Sequence, residues 1–251
     1  MTRFIKIECS GWFNSFRQPD FHSYHKTMPL PPKITIGGML GAALGISPVE
    51  VNDNWLKNNR FKVGIVGKSN GKANDLWQIR KYEGKQIKAY RDGKEKTPYK
   101  TAVIVRELLF ESVLAIYFTF DNPDDFQLIK EGLANPKWAL SLGREDELIL
   151  IRALKEIELE EVMDKYFQNT VLPFDANEVG YHLDLENRAK QNLLSDAPFC
   201  LRLPMTFMHK GNVREADTFS LFTFISDLPI LPKVRLKGYW DEESNVVFQT
   251  F

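Results

Sequence analysis

Cysteine is nearly absent from this chain, and so is any long apolar run. Of 251 residues only Cys9 and Cys200 are cysteines, and they form no spaced motif. That argues against a disulfide framework or a zinc finger and predicts two structural thiols in a reduced protein. No apolar stretch approaches the roughly 20 residues needed to cross a bilayer. The opening Met-Thr-Arg-Phe-Ile-Lys has no signal-peptide core, so the expectation is a cytoplasmic protein with no membrane partner. Neither a P-loop nor a Rossmann glycine fingerprint occurs, and no cofactor or metal is expected. Net charge is missing too: 33 Lys/Arg balance 33 Asp/Glu.

That balance conceals a segregation. Between Lys57 and Arg106 stand 14 Lys/Arg against 4 Asp/Glu, and the rest of the chain carries the opposite excess. Phe61, Trp77, Tyr82, Tyr90 and Tyr99 are interleaved with these cations. Cations that neutralise phosphates, beside rings that stack on bases, are the composition of a single-strand nucleic-acid surface. The competing reading is an exposed basic hairpin with no ligand. The acidic run Glu156, Glu158, Glu160, Glu161 and Asp164 reads as a solvated face or a surface for a basic partner.

Hydrophobic periodicity orders the elements. Arg3 to Cys9 alternates as a half-buried strand. Ile36, Met39, Leu40, Ala43 and Leu44 recur at helical spacing, with Gly45 as the C-terminal cap and close approach to a sheet expected to accommodate Gly37, Gly38 and Gly41. Ser47-Pro48-Val49-Glu50 is a capping box. Phe61, Val63 and Ile65 mark a strand, and Val113 to Phe120 reads as a central one. Asn122 starts a helix with Phe126, Ile129 and Leu133 inward, and Leu148 to Leu159 reads as a last strand whose Glu-rich tail suits a helix equally. The fold class is therefore α+β: a ferredoxin-like, RNA-recognition-motif βαββαβ domain over residues 1–158, with a basic hairpin inserted at about 68–100. Residues 159–251, with five prolines and short strand-like runs, read as a small β-rich extension or subdomain.

Several of these segments resemble a known family. They are the first strand, the Phe16-Arg17 loop, Pro31-Pro32-Lys33-Ile34-Thr35-Ile36-Gly37-Gly38 entering a small-residue helix, Arg106-Glu107-Leu108-Leu109, and Ser141-Leu142-Gly143-Arg144-Glu145. In this order, around a basic insertion, they resemble the CRISPR-associated "Cas five" family of the RAMP superfamily, nearest its type I-B branch. The resemblance implies a non-catalytic subunit of a type I Cascade complex that binds the 5′ handle of the CRISPR RNA and caps the backbone filament. It also implies a thumb-like hairpin reaching the neighbouring backbone subunit, contact with the large subunit, and target DNA as a further partner inside the complex.

Candidate contacts follow. In the loop from Trp12 to Lys26, rings and cations suit splayed bases and phosphates, and Trp12, Phe16, Arg17, His25 and Lys26 are the candidates. Arg144, after Gly143, suits a phosphate. In the arm the candidates are Trp77, Arg80, Lys81, Lys88, Tyr90 and Arg91, for RNA or a neighbouring subunit. No catalytic residue is expected. The alternatives are a metal-independent ribonuclease using His22, Tyr24, His25 and Lys26, and an adaptor that binds protein alone.

Overall fold

The computed structural model describes residues 1–21, 24–81, 100–186, 196–211 and 213–251. Strand β1 (Thr2–Asn14) turns Ile5, Ile7 and Cys9 to one face and Phe4 and Lys6 to the other, and all five are buried. After it come β2 (Tyr24–His25), β3 (Lys62–Lys81), β4 (Lys100–Thr119) and β5 (Leu150–Met163). Four of them lie in the order β5-β1-β4-β3, each antiparallel to its neighbours, and β2 adds a short parallel pairing to β4. The Glu-rich tail of β5 is strand, not helix, through Met163.

Helix α1 (Lys33–Leu44) connects β1 to β3 and α3 (Pro123–Ala134) connects β4 to β5; both pack on one face. Ile36, Met39 and Leu40 of α1 and Phe126, Ile129 and Leu133 of α3 meet Ile5, Ile7, Val63, Ile65, Leu114, Ile116 and Phe118. Each fully buried side chain of this size contributes about 1.5–3 kcal/mol, so a one-residue slip of β4, which would turn three of them outward, is strongly disfavoured. Asn122 caps α3 through its side chain, and Gly45 closes α1 in the left-handed region at φ 72°. Ser47 and Glu50 form the reciprocal capping box of α2 (Pro48–Glu50), which continues as a π-helix, Val51–Leu56.

The glycines of α1 serve that turn and not the sheet. A Cβ on Gly41 would come within 2.5 Å of Val51 Cγ2, while one on Gly38 would meet nothing within 4 Å. The expected approach to the sheet is therefore corrected: close packing is against the π-helix.

The C-terminal strands extend this sheet at both ends. Beyond β3 come β6 (Thr170–Leu172), β11 (Phe219–Ile225) and β8 (Phe199–Pro204). Beyond β5 come β13 (Lys237–Asp241) and β14 (Val246–Phe248). Two small pairings, β7 (Tyr181–Leu183) with β12 (Ile230–Pro232) and β9 (Phe207–Lys210) with β10 (Val213–Ala216), lie outside it.

On the face away from the helices Phe248 packs with Phe4, Val66, Tyr117 and Leu159, its ring stacked on Tyr117 at 4.1 Å. Buried Lys6 is held beside them by Asp241 and Ser244, each at 2.7 Å. No helix among the described residues is long and apolar enough to cross a membrane.

Candidate nucleic-acid interface

A cleft of about 230 Å³ opens where the N-terminus of α1, the loop after β1, β2, β4 and the loop before β5 converge. Arg17, His25, Arg106 and Arg144 line it, with Pro32 and Thr35 from the start of α1. Pro32, the N-cap, offers no side-chain hydrogen bond, so the positive end of the helix dipole faces the cleft without a side-chain cap.

Arg106 is the centre of the arrangement. It is 8% exposed, and its Nη2 donates to Asp75 at 2.9 Å. Its Nε and Nη1 have no hydrogen-bond acceptor among the described residues, although Asp146 and Glu147 stand 3.8 Å from Nη1. A buried guanidinium with open donors, in a cleft that holds two more guanidiniums, suits a ligand rich in acceptor oxygens.

Trp77 of β3 ties the cations together. The Arg144 guanidinium lies 4.3 Å and that of Arg106 5.3 Å from its ring centroid, and the ring remains 41% exposed. Arg144 therefore rests on an aromatic ring. The loop that carries it is fixed from below. Buried Glu147 accepts hydrogen bonds from the Ser15 amide (2.7 Å), the Ser15 hydroxyl (2.5 Å) and the Arg144 amide (3.0 Å). Gly143 permits this: its φ is +112°, and a Cβ there would collide with the Glu147 carboxylate and the Ser15 carbonyl. Glu107 does the same for the first loop, accepting from the Thr27 amide at 3.0 Å and the Tyr24 hydroxyl at 3.3 Å. Burial, followed by Glu107, pushes the Tyr24 phenol up.

The other expected residues divide. Arg17 is exposed, with its Nη2 donating to the Phe21 carbonyl at 3.0 Å, and Lys26 Nζ lies 5.6 Å from the Phe21 ring centroid. His25, 8% exposed, pairs in register with Arg106 across β2 and β4. Phe16 is corrected: at 2% exposure it packs in the core, because the loop folds back through bonds from the Phe16 amide to Thr27 and from the Met28 amide to Phe16. It lines the cleft as a buried residue, with its ring in the core. Trp12, 71% exposed, belongs to a different groove on the sheet. Arg80 is exposed near the end of β3 and Lys81 ends that strand. Lys88, Tyr90 and Arg91 lie outside the described residues, as does His22.

Arg106 was not singled out from the sequence as a contact. Its only signal was its place in the Arg106-Glu107-Leu108-Leu109 segment. The acidic run on β5 is engaged with protein cations: Glu156 pairs with Arg3 (2.6 Å) and Lys130 (2.8 Å), and Glu161 with Lys237 (2.7 Å). Hydrogen bonds from Arg3 and then Lys130 bring the Glu156 carboxyl down to about 2.

Comparison with known proteins completes the picture. The backbone is similar to a chain of a CRISPR RNA-guided surveillance complex, 15% identical with a TM-score of 0.54, covering 92% of this chain and 91% of that one. A CRISPR protein from Archaeoglobus fulgidus aligns over 100% of both chains at 10% identity and a TM-score of 0.47. No curated protein matches the sequence. The model of the family described as CRISPR-associated protein (Cas_Cas5) matches residues 4–213, well over half of the chain, and the protein belongs to that family.

Proposed function

We propose that this protein is a non-catalytic, RNA-binding subunit of a type I CRISPR surveillance complex, of subtype I-B. It acts in the cytoplasm, holds the 5′ handle of the CRISPR RNA, and meets the backbone and large subunits. Family membership and the fold shared with a surveillance-complex chain support a role in such a complex. The observation that carries the RNA reading is Arg106, whose open donors sit between Arg17, Arg144 and the start of α1. A phosphate there would satisfy buried N–H groups that otherwise lack acceptors.

The strand order β5-β1-β4-β3, with α1 and α3 on one face, supports a ferredoxin-like domain. The β3–β4 ribbon then serves as the thumb, with its root in the RNA cleft. A cutting role finds less support. Tyr24, one of the candidate bases, gives its hydroxyl to Glu107, and its raised pKa disfavours the phenolate that would take a 2′-OH proton.

The test uses purified full-length protein and end-labelled repeat RNA in EDTA. Tight binding of handle RNA without cleavage is the expected result. Equal affinity for an unrelated RNA of the same length would remove handle specificity. A defined cut, lost on His25→Ala or Tyr24→Phe, would make the protein a processing nuclease instead. Failure to bind any RNA at low salt would leave the adaptor that binds protein alone.

A further inference from the structure

A second cavity, of about 410 Å³, lies on the part of the sheet that the β13–β14 hairpin leaves open. Ser10 and Trp12 reach it from β1, following Phe4 and Lys6 on the face away from α1 and α3. Its construction depends on an irregularity in β4. Glu111 has φ +49°, in the left-handed region, which strains a residue other than glycine. The ladder passes over it: Phe110 pairs with Phe13 and Gly71, and Ser112 with Gly11 and Ser69. Val113 pairs with Ser10, so its side chain shares the face of Ser10 and Trp12, and it lines the cavity with Glu111 and the buried Ser112. A carboxylate and an apolar wall thus stand close together at the cavity.

Glu111 is the group that would accept from a ligand that donates. Ser112 is 1% exposed, and its hydroxyl has no hydrogen-bond partner among the described residues. Asn70 Nδ2 donates to Glu111 Oε2 at 2.7 Å and fixes that carboxylate. Arg152 Nε donates to the Ser10 hydroxyl at 3.0 Å, which brings a cation to the cavity. Trp12, backed by Phe110 at 6.5 Å between centroids, offers a broad aromatic face.

We propose that this cavity takes one unstacked nucleobase of the bound RNA, and that Glu111 selects bases with an exocyclic amine over uracil. The proposal rests on the RNA-binding reading above and adds a base-reading site apart from the Arg106 cleft. Trp12 stacks on the base, the carboxylate accepts from the amine, and Arg152 meets the accompanying phosphate. Uracil presents a carbonyl oxygen where cytosine presents its amine, and that oxygen faces a carboxylate unfavourably. The Arg152 cation also disfavours the other fitting occupant, a lysine or arginine of a partner protein.

Cytosine and uracil octamers, labelled at the 3′ end, provide the test by fluorescence anisotropy with full-length protein at fixed salt. The C octamer should bind about tenfold more tightly than the U octamer, as expected for one specific base contact. Glu111→Gln should bring the two affinities together, and Trp12→Ala should weaken the C octamer about tenfold while Trp12→Phe restores much of that loss. A C-to-U ratio unchanged by Glu111→Gln, with Trp12→Ala neutral, would overturn the proposal and leave the cavity to a protein side chain. In that case both octamers would still bind in a salt-dependent way. Binding of neither octamer at low salt would overturn the RNA-binding reading itself, and this proposal with it.

Discussion

The root of the β3–β4 ribbon and the sequence that joins its two strands carry positive charge in different ways. At the root, Arg106 is buried, bonded to Asp75, and shares the ring of Trp77 with Arg144. From Arg80 to Lys100 the sequence holds eight Lys/Arg against three Asp/Glu, mostly beyond the described residues, and Arg80 at its start is exposed. Exposed cations attract any polyanion and are screened by salt, whereas a guanidinium fixed in a low-dielectric cleft gives orientation. The most basic part of a chain need not be its most selective part.

Arg106→Ala breaks this comparison most directly. Removal of a buried, charge-assisted interaction should weaken handle-RNA binding about 30-fold or more in a filter-binding or anisotropy titration. Unchanged affinity, in a variant shown by circular dichroism to be folded, would mean that the cleft is not the RNA site. A smaller effect is expected from reversing Arg80, Lys81, Lys88 and Arg91 to Glu. Handle binding by the isolated subunit should fall only a few-fold, with the log–log salt slope shrinking by about 0.7 for each phosphate no longer neutralised. Association with the backbone subunit, measured by co-purification or interferometry, should fall further. Equal reductions in both assays would make the arm chiefly an RNA element.

The smallest effect concerns a third cation and sharpens the role of Asp75. Lys33 is 4% exposed, donates to Asn59 Oδ1 at 2.7 Å, and has no carboxylate partner among the described residues. Burial, with a lesser contribution from Lys62, pushes its ammonium down to about 8 from 10.5. A depressed lysine pKa means that the folded protein binds fewer protons than the unfolded chain between about 8 and 10.5, so stability rises with pH across that window. Below pH 8 the folded state carries the buried charge. Lys33→Met should therefore raise the thermal midpoint by a few degrees at pH 7, and the gain should narrow as pH rises from about 8 toward 10.5. A constant gain across the range would assign it to packing.

Much of the architecture was legible because it rests on local rules. The alternation of Ile5, Ile7 and Cys9, the Ser47–Glu50 box, the Asn122 cap and the Phe126, Ile129, Leu133 face all follow from spacing within a few residues. What escaped depends on contacts distant in sequence. Phe16 read as a ring in a polar loop, and only the return of the chain through Thr27 and Met28 encloses it. Trp77 and Arg144 were assigned to separate sites although they touch, since they stand 67 positions apart and nothing in either segment signals the other. Arg106 was passed over because a cation inside an apolar strand looks like an edge residue until its partner Asp75 is brought opposite by the antiparallel register. Glu111 gave no sign of its kink, since glutamate rarely takes a left-handed conformation.

Trp77 and Arg106 belong to the ribbon, Arg144 belongs to the loop before β5, and both guanidiniums line the cleft. That shared ring makes the posture of the ribbon and the occupancy of the cleft thermodynamically linked variables. If a bound strand favours one ribbon orientation by some factor in affinity, holding that orientation must favour the strand by the same factor. On the proposed function, a subunit that holds the ribbon would then adjust the grip on RNA without touching the RNA at all.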